Sequence, residues 1–246
     1  MHVLLTNDDG IQSVGLESLA QACLQRGHEV TISAPATQQS AASQRITIDA
    51  PLLVREVPWK GAKAYAVEGS PADCARLGPR LAEKPIDFVF SGINNGENAG
   101  CAVFYSGTVA AAREARMCGY QSMAVSIDVG STEPMRMKLA RMAVEIAEKL
   151  QPLDWPRMRM LNLNAPSLPP EEWKDLRICP LSDAYFKDQY DRRVSPRGQV
   201  YFWLGAGMEM EPHRKGTDLD LLEKGHVTLS LLGGWQDDAA WLENVF

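Results

Sequence analysis

The sequence predicts an α/β fold, an open sheet built from βαβ units and followed by a C-terminal β-hairpin or arm. Three observations carry this. Val3 to Leu5 is an apolar run of strand length that stops at Asn7-Asp8-Asp9-Gly10, a turn-favouring tetrad, and Leu16, Leu19, Ala20, Cys23 and Leu24 then recur on one helical face. Glu29 to Ala34 reads as a second strand, closed by Pro35, which cannot donate to a ladder. Ile86 to Ser91 and Gln121 to Ser126 repeat the rhythm, each ahead of a helical pattern.

The 246 residues suit one domain over 1–246, with an arm projecting around 180–235. Hydrophobic residues at 45% and charged ones at 23% are ordinary for a globular protein, and no apolar run approaches the roughly 20 residues of a membrane span. The N-terminus has no basic region followed by an apolar signal core, so a cytoplasmic protein with no membrane partner is expected. Five scattered cysteines without a CxxC pair point to reduced thiols, with Cys101 alone expected near chemistry. A net charge of −6 argues against a nucleic-acid polymer as partner, because such a surface needs a basic stripe.

Between the second and third strands of the rhythm, Ala36 to Ser43 forms a polar loop at the same strand edge as Asp8 and Asp9. Ser40 there is either a turn former or an oxygen donor. Arg45–Ile48, Leu52–Val54 and Ala64–Val67 read as short β pieces separated by Pro51, Pro58 and Gly61. Ser70 is the expected N-cap of a helix that has Pro71 first and Asp73 in its first turn. Gly92 to Gly100 reads as a loop of glycines and asparagines, and Ser106-Gly107-Thr108 opens an Ala-rich helix whose free amides suit an anion. A long amphipathic helix is expected over 134–150 and a last interior strand over 157–164. Leu176–Cys179, Gln199–Leu204 and His226–Leu231 look like strands around a polar arm.

Asp8 and Asp9 are adjacent carboxylates at a strand end, where open α/β sheets bind ligands. They repel each other unless a cation or shared proton intervenes, so the turn is either a site for Mg²⁺ or Mn²⁺ or a solvated connection. The four histidines have no metal-ligand spacing, and no Walker loop or Gly-x-Ser-x-Gly elbow is present. The Asp-Asp turn also lacks the Asp-x-Asp spacing of phosphatases that form an aspartyl phosphate, which favours metal-activated water.

With these residues in hand, the sequence resembles the SurE family, stationary-phase survival proteins that act as metal-dependent 5′/3′-nucleotidases. The resemblance rests on Leu5-Thr-Asn-Asp-Asp-Gly-Ile11, the Ser40 loop, Gly69-Ser-Pro-Ala-Asp-Cys74, Ser91-Gly-Ile-Asn-Asn-Gly96, Tyr105-Ser-Gly-Thr-Val-Ala-Ala-Ala112, Pro196-Arg-Gly198 and Gly216-Thr-Asp218. It implies a Rossmann-like three-layer α/β domain and one divalent cation per subunit on Asp8, Asp9, Ser40 and Asn94. It also implies a C-terminal arm exchanged in a homodimer or homotetramer. The chain departs from the family at Ala36-Thr37, Ala41, Gln12-Ser-Val-Gly15 and Cys101-Ala102, positions that spare the four ligands.

The expected chemistry is hydrolysis of nucleoside 5′- and 3′-monophosphates. Asp8 and Asp9 are the catalytic pair, and Asn94, Asn95, Ser106, Gly107 and Thr108 are the substrate-binding residues. The alternatives are a nucleotide-binding regulatory protein without turnover and a phosphatase of short polyphosphate.

Overall fold

The computed structural model describes residues 1–156, 158–187, 189–204 and 209–233. The first half forms β1 (His2–Thr6), α1 (Val14–Gln25), β2 (Glu29–Pro35), β3 (Leu53–Val57), β4 (Lys63–Glu68), α2 (Pro71–Leu81), β5 (Phe88–Asn95) and α3 (Gly107–Met117). Then come β6 (Gln121–Ile127), α4 (Glu133–Leu150), β7 (Arg159–Ala165), β8 (Lys174–Ile178), β9 (Phe186–Lys187), β10 (Tyr190–Val194) and β11 (Val200–Leu204). β12 (Glu209–Met210), α5 (Asp218–Glu223) and β13 (His226–Gly233) complete the described elements.

Nine strands share one sheet in the order β3-β4-β2-β1-β5-β6-β7-β13-β8. β4, β2, β1, β5, β6 and β7 run parallel, and ranked by sequence among themselves their order is 3-2-1-4-5-6, that of doubly wound nucleotide-binding sheets. The order reverses between β1 and β5. A crevice opens at such a reversal, outside the carboxyl ends of the strands. The turn after β1 and the end of β5 therefore meet there.

β1 is buried throughout, with an apolar stretch at Val3–Leu5, because both faces of the sheet are covered. Val3 and Leu5 pack into the larger core with Leu16 and Leu19 of α1 and Leu139 and Ala143 of α4. Leu4 points the other way, toward Ala75 of α2 and Ala111 and Ala115 of α3. The expected N-cap at Ser70 is present as a capping box with Asp73.

Two expectations need correction. Residues 45–48 form no strand. Their backbone is claimed by the start of α2, where the Asp73 carboxylate accepts from Thr47 N at 2.9 Å and from the Thr47 hydroxyl at 2.7 Å. The segment after Ser91 is not all loop, because β5 runs on to Asn95. β6 extends equally far and pairs with it, Asn94 opposite Ser126 and Asn95 opposite Ile127, after a register shift. Gly92 makes this possible, since a Cβ there would lie 2.2 Å from the Val125 carbonyl oxygen. The strand expected over 157–164 runs from Arg159 to Ala165, and residue 157 lies outside the described residues.

β10 and β11 form a separate antiparallel hairpin. Tyr190, Phe202 and Trp203 on it are 63%, 59% and 60% exposed, so neither strand is covered within the chain's described residues. β13, inside the range 180–235, instead pairs with β7 in the main sheet, and residues 205–208 and 234–235 of that range lie outside the described residues. No helix among the described residues is long and apolar enough to cross a membrane.

Candidate active site

Asn7 shapes the turn that presents the two carboxylates. Its side-chain amide donates to the Gly10 carbonyl at 2.9 Å and to the Ser13 hydroxyl at 2.7 Å, and its Oδ1 accepts from Gly10 N at 3.2 Å. Ser13 in turn caps α1. The turn is thus locked to the helix that follows.

The serine loop is fastened at both ends. Gln39 N donates to the Asp8 carbonyl at 2.8 Å, and Ser43 reaches Tyr105 O through its amide at 3.1 Å and Phe104 O through its hydroxyl at 2.9 Å. Ala41 sits at φ 54, a left-handed conformation that costs an alanine about 1–2 kcal/mol and a glycine little.

From β5, the Asn94 amide donates to Gly96 O at 2.7 Å, and its Oδ1 lies 3.4 Å from the Thr108 hydroxyl. Asn95 N donates to Asp9 Oδ2 at 3.2 Å. Ser106 caps α3 by accepting from Val109 N at 3.1 Å. The Thr108 hydroxyl donates to Asp8 Oδ1.

Asp8, Asp9, Ser40 and Asn94 all line one cleft of about 250 Å³, with Asn95 and Ser106 beside them. Gly107 and Thr108 lie behind this wall. Thr108 is fully buried, so its hydroxyl serves Asp8 and does not open toward a ligand. Gly107 touches the same carboxylate, since a Cβ there would lie 2.8 Å from Asp8 Cβ and 2.9 Å from Asp8 Oδ2. The anion that α3 already holds at its N-terminus is Asp8.

Burial pushes the Asp8 carboxyl above its ordinary value, against hydrogen bonds from the Thr108 hydroxyl and the amides of Thr108 and Gly107 that pull it down. Burial also raises Asp9, and the neighbouring Asp8 charge raises it further. Two carboxylates lifted in this way form a pair that a cation would relieve. Among the described residues no group of three or more His, Cys, Asp or Glu side chains could hold a metal. The cleft instead offers two carboxylates, a hydroxyl and an amide oxygen, a hard donor set that fits Mg²⁺ or Mn²⁺ with waters completing the shell.

Gln38, which no motif singled out, also lines the cleft, as does Asn98 of the glycine- and asparagine-rich stretch 92–100. Gln38 donates to the Ser40 hydroxyl at 3.0 Å. Asn98 is buried, its amide donating to Ser126 Oγ at 2.8 Å and its carbonyl receiving the side chains of Asn162 and Asn164. The signal was Asn162 and Asn164 themselves, two amides on one face of an interior strand. Cys101, expected near chemistry, is buried at 9% exposure because the 3₁₀ turn Gly100–Phe104 carries it inward, and Cys118 is the exposed cysteine.

Thr108→Val removes the donor that steadies the charged form of Asp8. Its carboxyl then rises further, Asp8 holds its proton to higher pH, and the acid side of the pH profile of kcat/KM is expected to move upward. An acid side that stays in place would remove Thr108 from this role.

The family profile described as "Survival protein SurE" matches residues 3–188. The chain belongs to the SurE family. A SurE relative from Nitratidesulfovibrio vulgaris (strain Miyazaki F), named "5'-nucleotidase SurE", is 45% identical over 236 residues, spanning 94% of this chain and 86% of the relative. One of the same name from Solidesulfovibrio magneticus is 41% identical over 242 residues, covering 98% and 94% of the two chains. The crystal structure of the SurE protein from Aquifex aeolicus superposes with a TM-score of 0.82 at 31% identity, over 100% of this chain and 98% of that one. The Rossmann-like fold implied by the resemblance is thus shown both by the strand order and by a solved SurE structure.

Proposed function

We propose that this SurE chain is a divalent-metal-dependent phosphatase that hydrolyses nucleoside 5′-monophosphates, and also 3′-monophosphates, to nucleoside and phosphate. The observation that carries the reading is the convergence of Asp8, Asp9, Ser40 and Asn94 on one cleft where the strand order reverses. The relatives' name, 5'-nucleotidase, supports the substrate class.

Asp8, Asp9, Ser40 and Asn94 would hold Mg²⁺ or Mn²⁺, which supplies charge against the phosphoryl oxygens and a bound water of lowered pKa. The chain's own groups do the rest. The Thr108 hydroxyl and the first amides of α3 fix Asp8, so that its orientation needs no rearrangement when substrate arrives. Ser106 and Asn95 line the cleft where the phosphate sits. Asp9 Oδ2 keeps one backbone hydrogen bond and is half-buried, so it is the carboxylate with capacity left to accept the proton of the attacking water. The water oxygen bonds to phosphorus as the ester P–O bond breaks, and the proton taken up by Asp9 passes to the leaving ribose oxygen, giving nucleoside and phosphate.

Inorganic phosphate released from 5′-AMP is the test, measured with EDTA and after adding back Mg²⁺ or Mn²⁺. Release abolished by chelator and restored by metal is expected. Metal-dependent nucleotide binding without release would instead mark a regulatory binder.

The assembly belongs to the same reading. The bare aromatic surface of the β10–β11 hairpin supports a homodimer or homotetramer built through it, since a lone two-stranded hairpin is marginal in water. Light scattering at the mass of one chain would exclude this. Five free thiols fit a cytoplasmic setting.

A further inference from the structure

Beside the proposed catalytic cleft lies a second cavity of about 560 Å³, and Asp9, Gln38, Asn94 and Asn95 form a wall common to both. Its far side includes Ser131, in the loop ahead of α4, and Arg136, in the first turn of α4. Among the residues that line the two cavities, Arg136 is the single basic side chain. Its Nη1 donates to the Ser131 carbonyl at 2.6 Å and reaches the Ser131 hydroxyl at 3.4 Å.

The rest of the guanidinium is uncommitted. Its Nε is buried without a hydrogen-bond partner among the described residues. The arginine ion pairs among those residues involve Arg26, Arg76, Arg177, Arg193 and Arg214, not Arg136. A planar cation held through Nη1 presents its remaining terminal nitrogen, Nη2, in a fixed direction. Oxyanions meet that geometry best. The acidic pair of the cleft does not use this charge, although Asp9 stands in the shared wall.

We propose that this cavity receives a second phosphate of the substrate, and that Arg136 is the residue that selects it. The preferred substrate is then a nucleoside carrying two phosphates one ribose apart, one on the acidic pair's cation and the other on Arg136. The inference rests on the nucleotidase reading for its first phosphate. Its second phosphate rests on Arg136 alone.

The test compares 5′-AMP with adenosine 3′,5′-bisphosphate on the full chain with Mn²⁺, for the wild type, Arg136→Gln and Arg136→Lys. Phosphate release gives kcat and KM, and calorimetry gives the affinity for each nucleotide. The wild type is expected to favour the bisphosphate by about tenfold in kcat/KM, chiefly through KM. Arg136→Gln should bring the ratio of the two substrates close to one, and Arg136→Lys should restore part of it. A wild-type ratio at or below one overturns the proposal. So does an Arg136→Gln variant that loses the same factor on both substrates, which is what a purely structural hold on Ser131 predicts. If neither nucleotide is hydrolysed, the nucleotidase reading fails by itself. The calorimetric preference for the bisphosphate and its loss in Arg136→Gln then still decide the subsite, and equal affinities in wild type and variant overturn it.

Discussion

Asp9→Asn is expected to slow phosphate release from 5′-AMP by about two to three orders of magnitude while leaving Tm within a few degrees of wild type. The two halves of this result have separate causes. Asparagine keeps an oxygen to accept the Asn95 amide, so the one hydrogen bond that holds the side chain survives. Folding also loses an unfavourable term, because burial and the Asp8 charge both raise the Asp9 carboxyl, and a neutral amide feels neither. Chemistry loses a ligand charge and the proton acceptor together. Phosphate release within twofold of wild type would remove Asp9 from the mechanism, and a collapsed Tm would make the residue structural.

Gly107→Ala carries the second large effect. The added methyl would lie 2.8 Å from Asp8 Cβ, 2.9 Å from Asp8 Oδ2 and 3.0 Å from Pro71 Cγ. Neither neighbour is the free end of a flexible chain. Pro71 is the first residue of α2, and Asp8 is held by the Thr108 hydroxyl, so the carboxylate must shift or α3 must back away. A displacement of this kind at a reacting centre costs up to about a hundredfold in rate. We expect kcat/KM to fall at least tenfold and the Mn²⁺ concentration for half-maximal rate to rise. Unchanged values of both would mean that α3 does not position Asp8.

What could be read from the sequence was what neighbouring residues decide among themselves. Asn7 forms its turn with Gly10 and Ser13, and Ser70 and Ser106 cap helices through amides three residues ahead, so each appeared as a local pattern. The open α/β sheet followed from the repeated βαβ units and the family resemblance, while the order of its strands depends on pairings between distant segments and came only with the structure. The run of β5 to Asn95 was hidden because it depends on β6 continuing alongside, and a glycine-rich stretch looks like loop until a partner is present. Arg45–Ile48 failed for the opposite reason, a β-like stretch whose backbone is captured by Asp73. Thr108 was legible as a helix-opening hydroxyl but not as a donor to Asp8, one hundred positions earlier in the chain. Arg136 belongs to no motif and is marked only by the cavity it lines.

Two loops and the end of β5 bring four oxygen donors to one cation, and anomalous diffraction from Mn²⁺-soaked crystals locates that ion. One peak per chain is expected in the cleft, within coordination distance of Asp8, Asp9, Ser40 and Asn94. A peak that leaves out Asp8 and Asp9, or one held at another place on the chain, would contradict it.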